Sequence, residues 1–137
     1  MTDPFIDTDV LIRLLTGDDP VKQEAAAALF RLVATDDVAI AAPESVIADA
    51  VHVLSSPRLY AMPRDRVRSA LAPLLRLPSF HVRNRSEVLR ALDLYATTPL
   101  DFGDSPLVVA MEQASADTLY LYDRHFDRIA KIRRREP

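Results

Sequence analysis

The sequence predicts an α/β fold, with a single domain built on a central, mainly parallel sheet of four to five strands flanked by helices. Segments in which apolar residues recur at helical spacing alternate with short apolar runs, and this alternation is typical of a parallel α/β sheet. The chain has 137 residues, of which 49% are hydrophobic, so it can bury one core but leaves little for a second domain. Proline and aspartate mark most of the joints between segments.

The amino-terminal half is predicted to hold two strands and three helices. A short strand, Phe5-Ile6, reaches an acidic tip at Asp7-Thr8-Asp9, after which helical spacing continues until Gly17. Pro20 opens the second helix, because proline fits the first helical turn, and this helix closes near residues 35–37. The other elements of this half are a buried strand at residues 38–42 and a helix from residue 43 to residue 55.

The carboxyl-terminal half is predicted to alternate helices with short strands. Its helices cover residues 63–77, residues 86–95 with Ser86 as the cap, and residues 105–114. Its strands are a short one at residues 80–82, a central one at residues 118–121 and a final edge strand within residues 131–137. A short helix or turn containing Phe126 and Ile129 lies between the last two strands.

Composition excludes several classes of protein. The absence of cysteine excludes a disulfide framework and a thiolate metal site. Only two glycines are present, whereas a glycine-rich phosphate loop needs several. No apolar run approaches the roughly 20 residues of a membrane-spanning helix, and residues 1–4 lack the basic and apolar segments of a secretory signal. We therefore expect a soluble protein of the reducing cytoplasm.

The net charge of -3 is unevenly distributed along the chain. Residues 58–90 carry eight basic and two acidic side chains, and residues 123–137 carry six and three, whereas the remaining segments are acidic. Arginine outnumbers lysine fifteen to two, and the planar guanidinium suits bidentate contact with phosphate. Two explanations stay open, a phosphate-binding surface and an ordinary mixed-charge surface.

Four aspartates stand at comparable places in the predicted elements, close to the ends of strands or in the helices that follow them: Asp7, Asp49, Asp104 and Asp123. The carboxyl ends of parallel strands share one edge of a sheet, so these side chains are expected to converge there. Converging carboxylates repel one another unless a divalent cation lies between them. Oxygen ligands without cysteine or histidine suit Mg²⁺ or Mn²⁺.

Each aspartate also has a simpler explanation. Asp7 and Asp104 are possible helix caps, Asp123 is a possible turn residue, and Asp49 can face solvent from its helix. The three histidines lack the spacing of a ligand pair and are interpreted as structural: His52, His81 and His125. The four tyrosines are interpreted as packing residues rather than as a base-stacking platform: Tyr60, Tyr95, Tyr120 and Tyr122.

Four segments resemble the motifs of PIN-domain nucleases, and in particular of the VapC-type toxins of prokaryotic toxin–antitoxin pairs. The resemblance spans almost the whole chain, and it is carried by FIDTDVLIRLLTGDDP at residues 5–20, ADAVHVL at 48–54, LDFGD at 100–104 and YDRHFD at 122–127. It implies a PIN-like domain over residues 1–137. It also implies that Asp7, Asp49, Asp104 and Asp123 bind the metal and form the catalytic site, with Thr8 and Asp101 as supporting polar groups.

The resemblance further implies the activity and partners of the protein. The expected activity is an endoribonuclease reaction that depends on Mg²⁺, with Mn²⁺ as the alternative ion, uses water as the nucleophile and leaves 5′-phosphate ends. Transfer or ribosomal RNA would be the substrate. From the charge distribution, the basic side chains of residues 58–90 and of the carboxyl-terminal segment, including Arg124 and Arg128, are the candidates for contact with its phosphates. A cognate antitoxin and a homodimer are the implied partners, with apolar helix faces at residues 46–77 available for either contact.

The sequence departs from the family pattern at the second motif and at Leu121. The second motif normally holds glutamate, and Asp49 is one methylene shorter; Glu44 is the rival, but it points about 140° away around the helix. Leu121 occupies a position where the family often has a hydroxyl.

The first alternative function is a catalytically weak or silent PIN-fold binding module. The second is a phosphohydrolase with Asp7 as nucleophile, which would need a lysine in a suitable context.

Overall fold

The computed structural model describes residues 2–137, so Met1 of the amino-terminal stretch examined for a signal lies outside the described residues. The helices are α1 (Thr8–Leu15), α2 (Pro20–Ala34), α3 (Glu44–Ser55), α4 (Arg64–Leu75), α5 (Arg85–Thr97), α6 (Ser105–Ala114) and a 3-10 helix, η1 (His125–Arg128). The strands are β1 (Ile40–Ala42), β2 (Phe80–Val82), β3 (Thr118–Tyr120) and β4 (Arg133–Arg135). No helix formed by residues 2–137 has the length and apolar character needed to cross a membrane.

The strands within residues 2–137 form two separate two-stranded sheets. β1 pairs with β2, and β3 pairs with β4, both in parallel. Phe5 joins β1 through a single parallel bridge to Ala41. The α/β class is confirmed, but the expected central sheet of four to five strands is wrong, and β3 is not a central strand.

Two local features explain the small sheets. The amino-terminal strand candidate is cut short because α1 begins at Thr8, and Pro4 contributes a carbonyl to β1 but has no N–H to donate. β3 alternates in burial, since Leu119 and Leu121 pack against the core whereas Tyr120 between them is exposed. A central parallel strand is buried on both faces, so one-sided alternation indicates a strand with one face open to solvent.

The helices follow the predicted order, with one correction at the start of α5. That helix begins at Arg85, and Asn84 precedes it with a φ of 55°, a left-handed conformation that asparagine tolerates well. Ser86 therefore lies inside the first turn and is not the cap, and its hydroxyl contacts Glu87 at 3.1 Å. The side chain of Asn84 instead donates to Glu44 at 2.7 Å, which ties α5 to α3.

The hydrophobic core is formed by buried side chains from all six α-helices, the β1–β2 sheet and η1. Phe30 and Phe80 meet there edge to face, with ring centroids 5.6 Å apart. Most large apolar side chains of residues 46–77 are buried in this core, so the expected exposed apolar faces in that segment are wrong; Leu59 is the large hydrophobic residue of the segment that is exposed. The packing leaves one face of α3 in solvent, and Asp49 lies on it.

Candidate acidic site

Asp7 is both an N-cap and a candidate ligand. Its Oδ1 accepts a hydrogen bond from the backbone N–H of Thr8 at 2.7 Å, which satisfies one of the free amides at the start of α1. The side chain remains exposed, so Oδ2 is open to another ligand. The hydroxyl oxygen of Thr8 is buried and has no hydrogen-bond partner among residues 2–137. A polar atom left in this state beside an exposed carboxylate is a place where a water or ion fits.

Asp49 faces the same cleft as Asp7. The cleft has a volume of about 490 Å³ and lies between α1 and α3, where Thr8, His52 and Tyr60 also line it. Neighbours of Asp49 on α3, such as Ile47 and Ala50, are fully buried, and this anchors the helix with its polar side outward.

Glu44, the rival acid, lies at the first turn of α3 on a different cleft, between α3, α5 and α6. Its carboxylate accepts the hydrogen bond from Asn84. Of the two acids on α3, Asp49 is therefore the one that shares a cleft with Asp7.

Asp104 and Asp123 both lie close to the imidazole of His125. Nε2 of His125 lies 3.2 Å from Oδ2 of Asp104, and Nδ1 lies 3.8 Å from Oδ2 of Asp123. The His125 ring packs at 4.5 Å against the ring of Phe126, which is buried and anchors η1. The interpretation of His125 as a purely structural residue missed this contact, because its partner Asp104 is brought to it only by the fold.

Asp101 belongs to the turn that presents Asp104. Its carbonyl accepts from the N–H of Asp104 at 3.0 Å, and its exposed carboxylate lies 3.7 Å from the Arg64 guanidinium. Arg64 also donates to the carbonyls of Tyr95, Thr98 and Leu100. A second cleft contains Arg64, Asp101 and Asp49, so the supporting acid and the second acid face the same space.

Tyr60 stabilises the loop at the end of α1 beside the first cleft. Its hydroxyl donates to Oδ2 of Asp18 at 2.6 Å. This hydrogen bond is the main reason that the pKa of Asp18 lies below its usual value, with smaller contributions from Thr16 and Arg13. The cleft wall is thus connected to the α1–α2 loop by an interaction that favours the ionised carboxylate.

The four candidate acids meet in two pairs. Asp7 and Asp49 share a cleft, and Asp104 and Asp123 flank His125. Within residues 2–137 no three Asp, Glu, His or Cys side chains are grouped closely enough to hold one metal ion. The donor types fit a hard divalent cation, since the Asp7–Asp49 cleft offers carboxylate oxygens and the unpaired Thr8 hydroxyl. Convergence of all four remains a prediction.

The basic and aromatic candidates lie near the carboxyl terminus. Arg124 is exposed directly before η1, and Arg128 lines a cleft with Arg90 beside α5 and α6. Tyr120 and Tyr122 are 61% and 70% exposed, so their interpretation as packing residues is wrong. The signal that would have found them is the alternation of leucine and tyrosine along residues 119–122, which places tyrosine on one face and leucine on the other.

Comparisons with known proteins bear on the family. The family model of the PIN domain matches residues 5–132, which is nearly the whole chain and includes all four candidate acids. No curated protein gives a significant match. PIN domains are generally metal-dependent nucleases, and thus hydrolases. On the match over residues 5–132, the chain belongs to the PIN domain family.

Proposed function

We propose that this protein is a metal-dependent endoribonuclease that hydrolyses RNA phosphodiesters with water as the nucleophile. The observation that carries the proposal is the shared cleft of Asp7, the cap of α1, and Asp49 on α3. Neither carboxylate forms an ion pair with Arg or Lys among residues 2–137. Acids that share a cleft and lack a basic ion-pair partner favour a cation site over a purely structural role.

The roles of the residues follow from their positions. A bound Mg²⁺ or Mn²⁺ would lower the pKa of a coordinated water and offset charge on the phosphate. Asp7 and Asp49 would hold this ion from α1 and α3, with Thr8 supplying a hydroxyl between them. Asp104 and Asp123 would complete the acidic centre from the start of α6 and the end of β3. Arg124 and Arg128 would contact the RNA backbone outside it.

The biological setting we propose is that of a VapC-type toxin in the cytoplasm. The motif resemblance at residues 5–20 supports it, and transfer or ribosomal RNA would be the target. A cognate antitoxin and a second copy of the chain would be the partners. The apolar cleft of about 420 Å³ between α3, α5 and α6, with Val88, Phe102 and Val109 in its wall, offers a contact surface for one of them.

The activity can be tested with an end-labelled structured RNA and the purified protein. We expect cleavage with Mg²⁺ or Mn²⁺, a 5′-phosphate on the downstream product and complete inhibition by EDTA. Asp7→Asn should abolish cleavage without loss of thermal stability, because asparagine caps a helix as well as aspartate does. Asp19→Asn, which replaces the N-cap aspartate of α2 away from this cleft, is the matched control and should remain active. Cleavage that persists in EDTA and in Asp7→Asn would reject the proposal.

A second candidate is a catalytically silent binding module with the PIN fold. The separation of the four acids into two pairs favours it. Calorimetric titration with Mn²⁺ separates the two, since a silent module would give no saturable binding. The aspartate-nucleophile phosphohydrolase gains no support, because neither Lys22 nor Lys131 lines the cleft of Asp7.

A further inference from the structure

The β3–β4 sheet has an outer face with an unusual composition. Along β3 and its extension, Leu119 and Leu121 turn towards the core, whereas Tyr120 and Tyr122 are exposed. The N–H of Leu121 still donates to the carbonyl of Arg135 at 2.9 Å, so the pairing continues past the end of β3. Tyr120 therefore lies on the exposed side of a hydrogen-bonded strand, and the exposed Tyr122 follows it two residues later in the bend after β3.

The neighbouring strand adds cations to the same face. Tyr120 is in register with Arg135, and Thr118 with Arg133, so these arginines point to the tyrosine side of the sheet. Both arginines are exposed, whereas Arg134 between them is partly buried. Tyrosine and arginine thus share an open face that the core does not use.

The charge on this face is largely uncompensated. Arg134 pairs with Asp127 at 3.0 Å and with Glu136 at 3.2 Å on the other side. Arg135 forms no ion pair among residues 2–137, and Arg133 is 3.8 Å from a well exposed Asp117. An exposed pair of this kind contributes little and is screened by salt, so both guanidinium groups remain available to an anion.

Aromatic rings beside uncompensated arginines are the combination that binds single-stranded nucleic acid. Unpaired bases stack on the rings, and the arginines contact the backbone phosphates. The bases of a duplex are stacked on one another and are not free to lie on a protein ring. The position of the face is also suitable, because Tyr122 directly precedes Asp123 of the acidic site.

We infer that the outer face of the β3–β4 sheet, formed by Tyr120, Tyr122, Arg133 and Arg135, binds a single-stranded segment of RNA and leads it towards Asp123. The identification of the nucleic acid as RNA rests on the proposed ribonuclease function. The binding itself does not require catalysis, so it can be measured separately.

The test is fluorescence anisotropy of a labelled single-stranded RNA with the full-length protein in EDTA, where no cleavage is expected. Tyr120→Leu and Tyr122→Leu should each weaken binding by about 5-fold to 100-fold, and Tyr120→Phe, which keeps the ring, should bind like the wild type. Arg135→Gln should lower the slope of log affinity against log salt by about 0.7. Arg31→Gln on α2, another exposed arginine, is the matched charge control and should change little.

Equal weakening by Tyr120→Phe and Tyr120→Leu would overturn the inference, because the ring would then not matter. Unchanged binding in both leucine variants would also overturn it, as would tighter binding of a duplex that depends on the same tyrosines. Cleavage assays with a divalent metal separate the two proposals. Tyrosine-dependent binding without cleavage would support RNA binding by this face and reject the nuclease proposal. Cleavage with tyrosine-independent binding would support the nuclease proposal and reject RNA binding by this face.

Discussion

Nε2 of His125 lies 3.2 Å from Oδ2 of Asp104, and this contact joins η1, which begins within the fourth acidic motif, to the start of α6. These residues are well separated in the chain, and the contact orients the third candidate acid. His125 also approaches Asp123, with Nδ1 3.8 Å from its Oδ2, so one imidazole lies between two of the candidate carboxylates. A partner of this kind fixes a ligand's orientation without being a ligand itself.

Replacement of His125 by alanine should therefore weaken the acidic site. We expect metal-dependent RNA cleavage and Mn²⁺ affinity both to fall by about 10-fold to 100-fold, the usual cost of losing an outer partner of a ligand. Calorimetry with Mn²⁺ gives the affinity independently of activity. His81 is the matched control, because it is also exposed and contacts Asp3 at 2.7 Å away from the site. Equal loss in His81→Ala and His125→Ala would contradict the assigned role.

The two acids on α3 can be distinguished by substitution. Asp49→Asn should lower the rate of cleavage by more than about 100-fold. Loss of a residue that only supports a metal ligand costs up to about 100-fold, and loss of a ligand itself should cost more. Glu44→Gln should leave the rate close to that of the wild type, because Glu44 lies on another cleft. Asp49→Glu, which restores the longer side chain usual in the family, should retain activity. Single-turnover cleavage measures all three, and a larger loss in Glu44→Gln than in Asp49→Asn would assign the role to Glu44.

Arg64 should contribute more to stability than its neighbour on α4. It donates to three carbonyls at the end of α5 and beyond, and its guanidinium lies 4.4 Å from the centre of the Tyr95 ring. We expect Arg64→Ala to lower the free energy of unfolding by about 1–3 kcal/mol, because several charge-assisted hydrogen bonds are lost.

Arg68→Ala provides the comparison for Arg64. The two side chains are equally exposed, at 36%, but Arg68 has only a long ion pair with Asp93 at 3.8 Å. Its removal should cost less than about 1 kcal/mol. Urea unfolding of both variants measures the difference, and equal destabilisation would show that the carbonyl contacts of Arg64 add nothing.

The hydrogen bond from Tyr60 to Asp18 should make stability depend on pH. It lowers the pKa of Asp18 in the folded protein, so the folded state favours the ionised carboxylate. Stabilisation is then present above the unfolded pKa, about 3.9, and is lost as the pH falls through the lower folded value. Tyr60→Phe should be less stable than the wild type at pH 7, and the gap should close in acid. Thermal unfolding measures it, and a gap independent of pH would exclude this linkage.

The helices and their order follow from local pattern. Proline at the start of α2, apolar residues three and four apart, and the Asp7 cap are properties of neighbouring residues, so they can be interpreted without tertiary information. The residue that precedes α5 could not be predicted in this way. Asn84 adopts a left-handed conformation and reaches Glu44 on another helix, and that contact is not visible in the local sequence.

Pairing of strands and convergence of acids belong to tertiary structure. Each strand has only three residues, too few to specify a neighbouring strand by its own pattern. In the structure β3 packs its leucine side against the core and pairs with β4. In the same way, the positions of the four aspartates were readable as motif residues, but which of them share a cleft depends on how α1 packs on α3 and how η1 meets α6. The sequence determines which chemical groups the chain carries, whereas the distances between residues far apart in sequence are set only when the core is assembled.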